Sequence, residues 1–215
     1  MQNIDDVLMT LQIGGAMVYP LIALAFLAIV IILEKAFVFA RHARLPRRVA
    51  DVAETYGFAW DRLERDVGAL GRRNYFGGFF RAILENHRRP AWWVESRAAD
   101  EASLIEKSLG RWLWVLETIV TAAPLLGLLG TITGMIRAFK LFGSEGLVDP
   151  AGVTGGVAEA LIATALGLFI ALIALFAFNY FSQRQAQVMD EMERLGTRLI
   201  DRIRLDDGSA AHEAA

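Results

Sequence analysis

Three apolar runs, each long enough to cross a bilayer, decide most of what this chain can fold into. The first is Ile13–Leu33, which Ala36–Ala40 extends beyond Glu34 and Lys35. The second is Thr118–Ile136, entered from the aromatic segment Trp112–Val115, and the third is Ala160–Phe181. A transmembrane helix needs roughly 20 such residues to cross a hydrocarbon core about 30 Å thick. In a soluble protein these runs would be core helices, but the rest of a 215-residue chain is too small to cover all three. The apolar share is 55%, and its concentration in the three runs excludes an ordinary soluble globule. The fold expected is therefore an all-α integral membrane protein.

Lys and Arg give the direction of the spans. Asp5 and Asp6 precede the first run with no basic residue, and the loop Gly143–Gly156 holds Glu145 and Asp149, again without one. Arg41, Arg44, Arg47 and Arg48 follow the first run, and Arg184, Arg194 and Arg198 follow the third. The positive-inside rule then puts the N-terminus outside and the C-terminus in the cytoplasm. The N-terminus is acidic where a secretory signal would be basic, so the first run is expected to stay as a membrane anchor. The layout is an outer N-terminus and first span over 1–40 and a cytoplasmic helical region over 41–117. Spans at 118–142 and 157–181 flank a short periplasmic loop, 143–156, and a cytoplasmic helix with a disordered polar tail fills 182–215.

The cytoplasmic segments are amphipathic. Val49, Val52, Ala53 and Tyr56 repeat at helical spacing, as do Phe76, Phe79, Phe80, Ile83 and Leu84. Pro90 opens a new helix. With no Gly or Pro between Ala91 and Leu109, that helix is expected to run straight into the second span. Val188, Met192, Leu195, Leu199 and Ile203 form an apolar stripe that continues the third span. It serves either packing against the 50–110 helices or contact between copies in an oligomer.

The spans themselves carry small and polar residues. Gly127, Gly130, Gly134 and Ala138 make one ridge, and Ala160, Ala163, Gly167, Ala171 and Ala174 another. Small residues let helices approach closely in lipid, where packing takes over from the hydrophobic effect. Pro124 removes a backbone hydrogen bond and is expected to bend its helix. Thr131 and Thr164 fall at nearly one depth when the two spans run antiparallel. Each threonine can also simply bond a carbonyl of its own helix. Glu159 is an ionisable residue at membrane level, which marks a functional site by default unless the side chain reaches water. Glu117, Thr121, Pro124, Leu128 and Thr131 share one line of the second span, and Asn179 sits inward of Thr164 on the third. A polar track from mid-membrane hydroxyls toward a cytoplasmic mouth, past Glu117, Thr121 and Asn179, is geometrically open.

The runs APLLGLLGTITGMIRAF (Ala123–Phe139) and AEALIATALGL (Ala158–Leu168), the latter followed by Asn179-Tyr180-Phe181, resemble the second and third spans of the ExbB/TolQ/MotA proton-channel family. The wording is most like the ExbB branch; MotA-type stators have a fourth span, for which this chain offers no candidate. The resemblance implies one subunit of a ring-like homo-oligomer, a pentamer, whose second and third spans line a pore. It implies a small single-span partner like ExbD with a membrane aspartate, and a TonB-like or TolA-like protein driven by proton flow across the bacterial inner membrane. By position in the motifs, Thr131, Thr164 and Glu159 match the family's functional polar residues, while Pro124, Gly127, Gly130, Gly134 and Gly167 match positions that shape the pore helices.

Competing classes are a membrane scaffold that moves no ions and half of a secondary transporter. The latter is weakened by the lack of corresponding interrupted helices. An enzyme is not expected, since no phosphate-binding glycine loop or nucleophile elbow occurs, and Gly71–Gly78 is only a glycine-containing turn with adjacent arginines. With no cysteine and three dispersed histidines, no metal or cofactor is expected, and no nucleic-acid partner.

Overall fold

The apolar runs fold as helices in the computed structural model, which describes residues 15–55, 59–71, 73–140 and 150–213; no strand occurs among them. The helices are α1 (Val18–Arg41), α2 (Arg47–Glu54), α3 (Trp60–Gly68), α4 (Tyr75–Leu84), α5 (Ala91–Gly110), α6 (Leu113–Lys140) and α7 (Pro150–Glu213). Among the described residues three stretches are long and apolar enough to cross a membrane, within Val18–Arg41, Ala91–Lys140 and Gly152–Asp207. Residues 1–14 and most of the loop between the second and third spans lie outside the described residues.

Two expectations are corrected. The helix begun at Ala91 does not run into the second span: it ends at Gly110, and Trp112 takes a φ of 69° before α6 starts at Leu113. Left-handed backbone at a bulky non-glycine residue breaks a helix outright. At the other end, α7 remains helical to Glu213, past the point where composition suggests a disordered polar tail. The alanines of that segment are strong helix formers that extend an existing helix without a new nucleus.

The chain divides into two compact units. One takes its described residues from Met1–Leu33 and Trp112–Tyr180. Its buried positions on α6 and α7 are mostly small: Ala123, Gly127, Gly130, Gly134 and Ala138 face Ala160, Ala163, Gly167 and Ala174. The large residues point the other way, with Leu125, Leu128, Ile132, Phe139, Leu161, Phe169 and Phe176 all exposed. Water would not tolerate that inversion, whereas lipid does, because association there relies on close backbone contact. The approach is tight at Gly167, where a Cβ would come within 2.5 Å of the Ala123 carbonyl oxygen.

The other unit takes its described residues from Glu34–Arg111 and Phe181–Ala215 and is built like a soluble core. Phe76, Phe79, Phe80, Ile83 and Leu84 of α4 are buried, with Leu63 and Val67 of α3 and Val94, Ile105 and Leu109 of α5. Burying each such side chain contributes about 1.5–3 kcal/mol. The stripe Val188, Met192, Leu195, Leu199 and Ile203 is buried within the chain, so packing inside the chain accounts for it without an oligomer contact. Gly196 of that helix lies against the Phe79 ring, and Arg194 pairs with Glu54 of α2 at 2.7 Å. Asn74 caps α4 by accepting from the Gly77 amide, and Pro90 sits at the N-cap of α5. Lys35, fully buried on α1, donates to the Leu109 carbonyl at 2.8 Å, satisfying an acceptor in the last turn of α5.

Gly167→Val is expected to lower the thermal unfolding midpoint of the detergent-purified protein, with an overpacking cost of about 1–3 kcal/mol. Gly155→Ala, where an added Cβ meets nothing within 4 Å, is expected to leave the midpoint unchanged or raise it.

Candidate functional site

The α6–α7 hairpin sets the register of every polar side chain on the two helices. Gly130 faces Ala163, Gly134 faces Ala160, and Gly156 faces Ala138. Thr131 and Thr164 are the residues immediately after the Gly130–Ala163 pair on antiparallel helices, so they differ in depth by only about 3 Å.

The two hydroxyls nevertheless do different work. Thr164 Oγ1 reaches across the hairpin and donates to the Gly127 carbonyl at 3.0 Å. Thr131 Oγ1 donates within its own helix, to Leu128 O at 2.6 Å. The alternative of bonding its own helix therefore holds for Thr131 and fails for Thr164. Close approach explains the split: Gly127 has no side chain, so the Thr164 backbone packs against it and the hydroxyl meets a carbonyl. Each hydroxyl has spent its one proton and keeps acceptor capacity.

Farther along α6, Thr121 is exposed and bonds Thr118 O at 2.9 Å, and Glu117 is exposed as well. Leu128, on the same line, is exposed, while Pro124 is half-buried inside an α6 that continues through it. Asn179 is exposed on α7. Glu117, Thr121 and Asn179 thus lie on surfaces that the hairpin leaves open, and the described contacts do not bring them together. Gly127, Gly130, Gly134 and Gly167 are buried in the hairpin seam.

Glu159 is ion-paired within the hairpin. Its carboxylate pairs with Arg137 of α6 at 2.6 Å, and its side chain is 16% exposed against 49% for the arginine. Gly15, with a φ of 70°, lies against the same carboxylate, so a Cβ there would collide with it. Neither Arg137 nor Gly15 is singled out by the sequence reading. The signal was present: once Gly134 is set against Ala160, residues 137 and 159 fall within a turn of each other. Among the described residues no group of acidic, histidine or cysteine side chains could hold a metal ion.

Described residues that are helical throughout their regular structure, with three membrane-length apolar stretches among them and a hairpin packed through glycine and alanine, make a multi-pass membrane protein. The MotA/TolQ/ExbB proton channel family matches it over residues 72–194, more than half the chain. The "Putative biopolymer transport protein ExbB-like 1" of Synechocystis sp. is 32% identical over 197 residues, covering 86% of this chain and 74% of that protein. The "Biopolymer transport protein ExbB" of Xanthomonas campestris pv. campestris is 41% identical over 87 residues, 40% of this chain and 34% of its own length. The "Tol-Pal system protein TolQ" of Pseudomonas aeruginosa is 39% identical over 84 residues, 39% of this chain and 36% of its own. The chain belongs to the MotA/TolQ/ExbB proton channel family.

Thr164→Val is expected to destabilise the hairpin by about 0.6 kcal/mol, the average for interhelical bonds in membranes, and by no more than about 1.7 kcal/mol. Thr131→Val, which removes only a bond within its helix, is expected to cost less. Equilibrium unfolding in mixed micelles checks the order of the two, and a larger loss for Thr131→Val would contradict the assignment of the bonds.

Proposed function

We propose that the chain is a proton-conducting stator subunit of a bacterial inner membrane, closest in role to ExbB. In this reading it forms a ring-like homo-oligomer, a pentamer by family resemblance, around an ExbD-like single-span partner bearing a membrane aspartate. The complex uses the proton motive force to drive a TonB-like protein and so energises transport across the outer membrane.

The observation that carries the reading is the division of the hairpin's surface. Its seam is filled by small residues, while Glu117, Thr121, Leu128 and Asn179 remain exposed on helices long enough to span a membrane. Thr121 and Asn179 lie within the spans, where exposed polar groups are costly against lipid and call for a protein or aqueous neighbour, while Glu117 stands at the cytoplasmic edge of the second span. Thr131 and Thr164, close in depth, supply acceptors that a protonated acid of a partner can use.

The proposed orientation, with N-terminus periplasmic and C-terminus cytoplasmic, is supported by the arginines after the first and third spans. Arg137 and Lys140 run against this count, but Arg137 is offset by its pair with Glu159. The runner-up is a TolQ-like subunit working with TolR-like and TolA-like proteins; the TolQ match over 84 residues keeps it in play. A scaffold that moves no ions is the remaining alternative.

Thr131→Val and Thr164→Val are each expected to abolish proton-driven coupling while the variant still co-purifies with its partner. Coupling retained in both variants would sink the pore assignment. Glu159→Gln is expected to impair coupling, and normal activity would make Glu159 a structural residue. Complementation of strains lacking ExbB or TolQ, read as iron–siderophore uptake against detergent resistance, separates the two branches.

A further inference from the structure

The end of α1, the start of α4 and the middle of α5 enclose a cleft of about 420 Å³, a size at which small molecules bind. Val38 of α1 and His42 just beyond it line one side, Arg73 and Tyr75 stand at the start of α4, and Glu101 comes from α5. The walls are tied together. The Tyr75 amide donates to the His42 carbonyl at 3.0 Å, Asn74 Nδ2 donates to the Arg44 carbonyl at 2.9 Å, and the Tyr75 hydroxyl meets Ser108 Oγ of α5 at 2.8 Å. Gly78 of α4 leaves room for the Glu101 carboxylate, whose Oε1 would stand 3.2 Å from a Cβ there. Among the described residues neither Arg73 nor Glu101 has an ion-pair partner.

Two features place the cleft at a membrane surface. At 1.5 Å per residue, α1 has run about 30 Å from Val18 when it reaches Val38, the thickness of a hydrocarbon core. His42, one turn on, meets the Phe37 ring edge-on at 5.7 Å between centroids, and Phe37 is 58% exposed. Val38 thus stands at the edge of the hydrocarbon and His42 at the level of the headgroups. The bond from the Tyr75 amide to His42 holds Arg73 near the same level.

The charges select the headgroup. A guanidinium takes a phosphate with two parallel bonds, and alone it would favour any anionic lipid. Glu101 repels a further negative group and accepts from an ammonium. We infer that the cleft binds the phosphoethanolamine headgroup of a membrane lipid, which carries a phosphate and an ammonium two carbons apart. The phosphate meets Arg73 and a ring N–H of His42, the ammonium meets Glu101, and the acyl chains leave past Val38 and Phe37. The site stands whether or not the chain conducts protons.

Native mass spectrometry of the detergent-purified protein tests the site, with phosphatidylethanolamine, phosphatidylcholine and phosphatidylglycerol of equal chain length as probes. The first lipid bound is expected to be phosphatidylethanolamine, retained several-fold more strongly than the other two, because choline has no N–H for Glu101 and glycerol has no charge. Glu101→Gln is expected to remove the advantage over phosphatidylglycerol. Arg73→Gln is expected to weaken retention of phosphatidylethanolamine several-fold, and Arg73→Lys to keep most of it. Equal retention of the three lipids by the wild type, a comparison that needs no variant to fold, overturns the inference. So does an undiminished preference in Glu101→Gln, the variant that separates this cleft from lipid bound elsewhere on the spans. Excess soluble glycerophosphoethanolamine is expected to leave the bound lipid in place; displacement would assign the cleft to a soluble phosphate–amine and overturn the membrane source.

Discussion

Backbone contact between α6 and α7 is the constraint on which the membrane part of this protein depends. Gly127, Gly130, Gly134 and Gly167 bring the two helices so close that a Cβ at any of them would press on the opposite helix. Such contact leaves no interior for large side chains, so leucines and phenylalanines are expelled to the outer surface. It also brings the Gly127 carbonyl within reach of Thr164, a bond that wider helix spacing would forbid. Packing thus fixes which polar groups are used inside the hairpin and which are left for other molecules.

The unit containing α2 to α5 follows the opposite rule. There the phenylalanines of α4 are inside, and the charges sit outside in pairs such as Arg194–Glu54 and Arg204–Glu95. Large apolar side chains gain from leaving water, whereas they gain nothing from leaving lipid. Two opposite burial patterns along one chain are therefore a record of two solvents. Lys35 belongs to the water-facing logic even though it interrupts an apolar run: its ammonium caps the end of α5.

The sequence makes the spans, the amphipathic helices and the small-residue ridges readable because each is a local pattern with a fixed period. It leads to the positions Thr131, Thr164 and Glu159, and to the equal depth of the two threonines, because antiparallel helices have a known rise. What it leaves hidden depends on contacts between distant segments. Gly110 offers a stop for α5, but nothing marks Trp112 itself as left-handed, and Arg137 reads as a charge at the outer end of the second span until the hairpin register sets it against Glu159. Gly15 lies at the start of the first apolar run and ahead of α1, and only its nearness to residue 159 gives it meaning.

The hydroxyls of Thr131 and Thr164 both donate to carbonyls, and this bears on what the proposed pore would prefer. A threonine whose proton is engaged offers lone pairs and no donor. A partner's carboxylic acid can donate to those lone pairs, whereas its carboxylate finds nothing there to accept from unless a threonine gives up its carbonyl. For Thr131 the exchange is local, because Leu128 O is a helix acceptor with its own amide partner nearby. For Thr164 it breaks a bond between helices and loosens the seam. The two threonines, alike in depth, would thus meet an ionised partner at different cost, and a partner passing between them would meet an uneven path rather than a symmetric one.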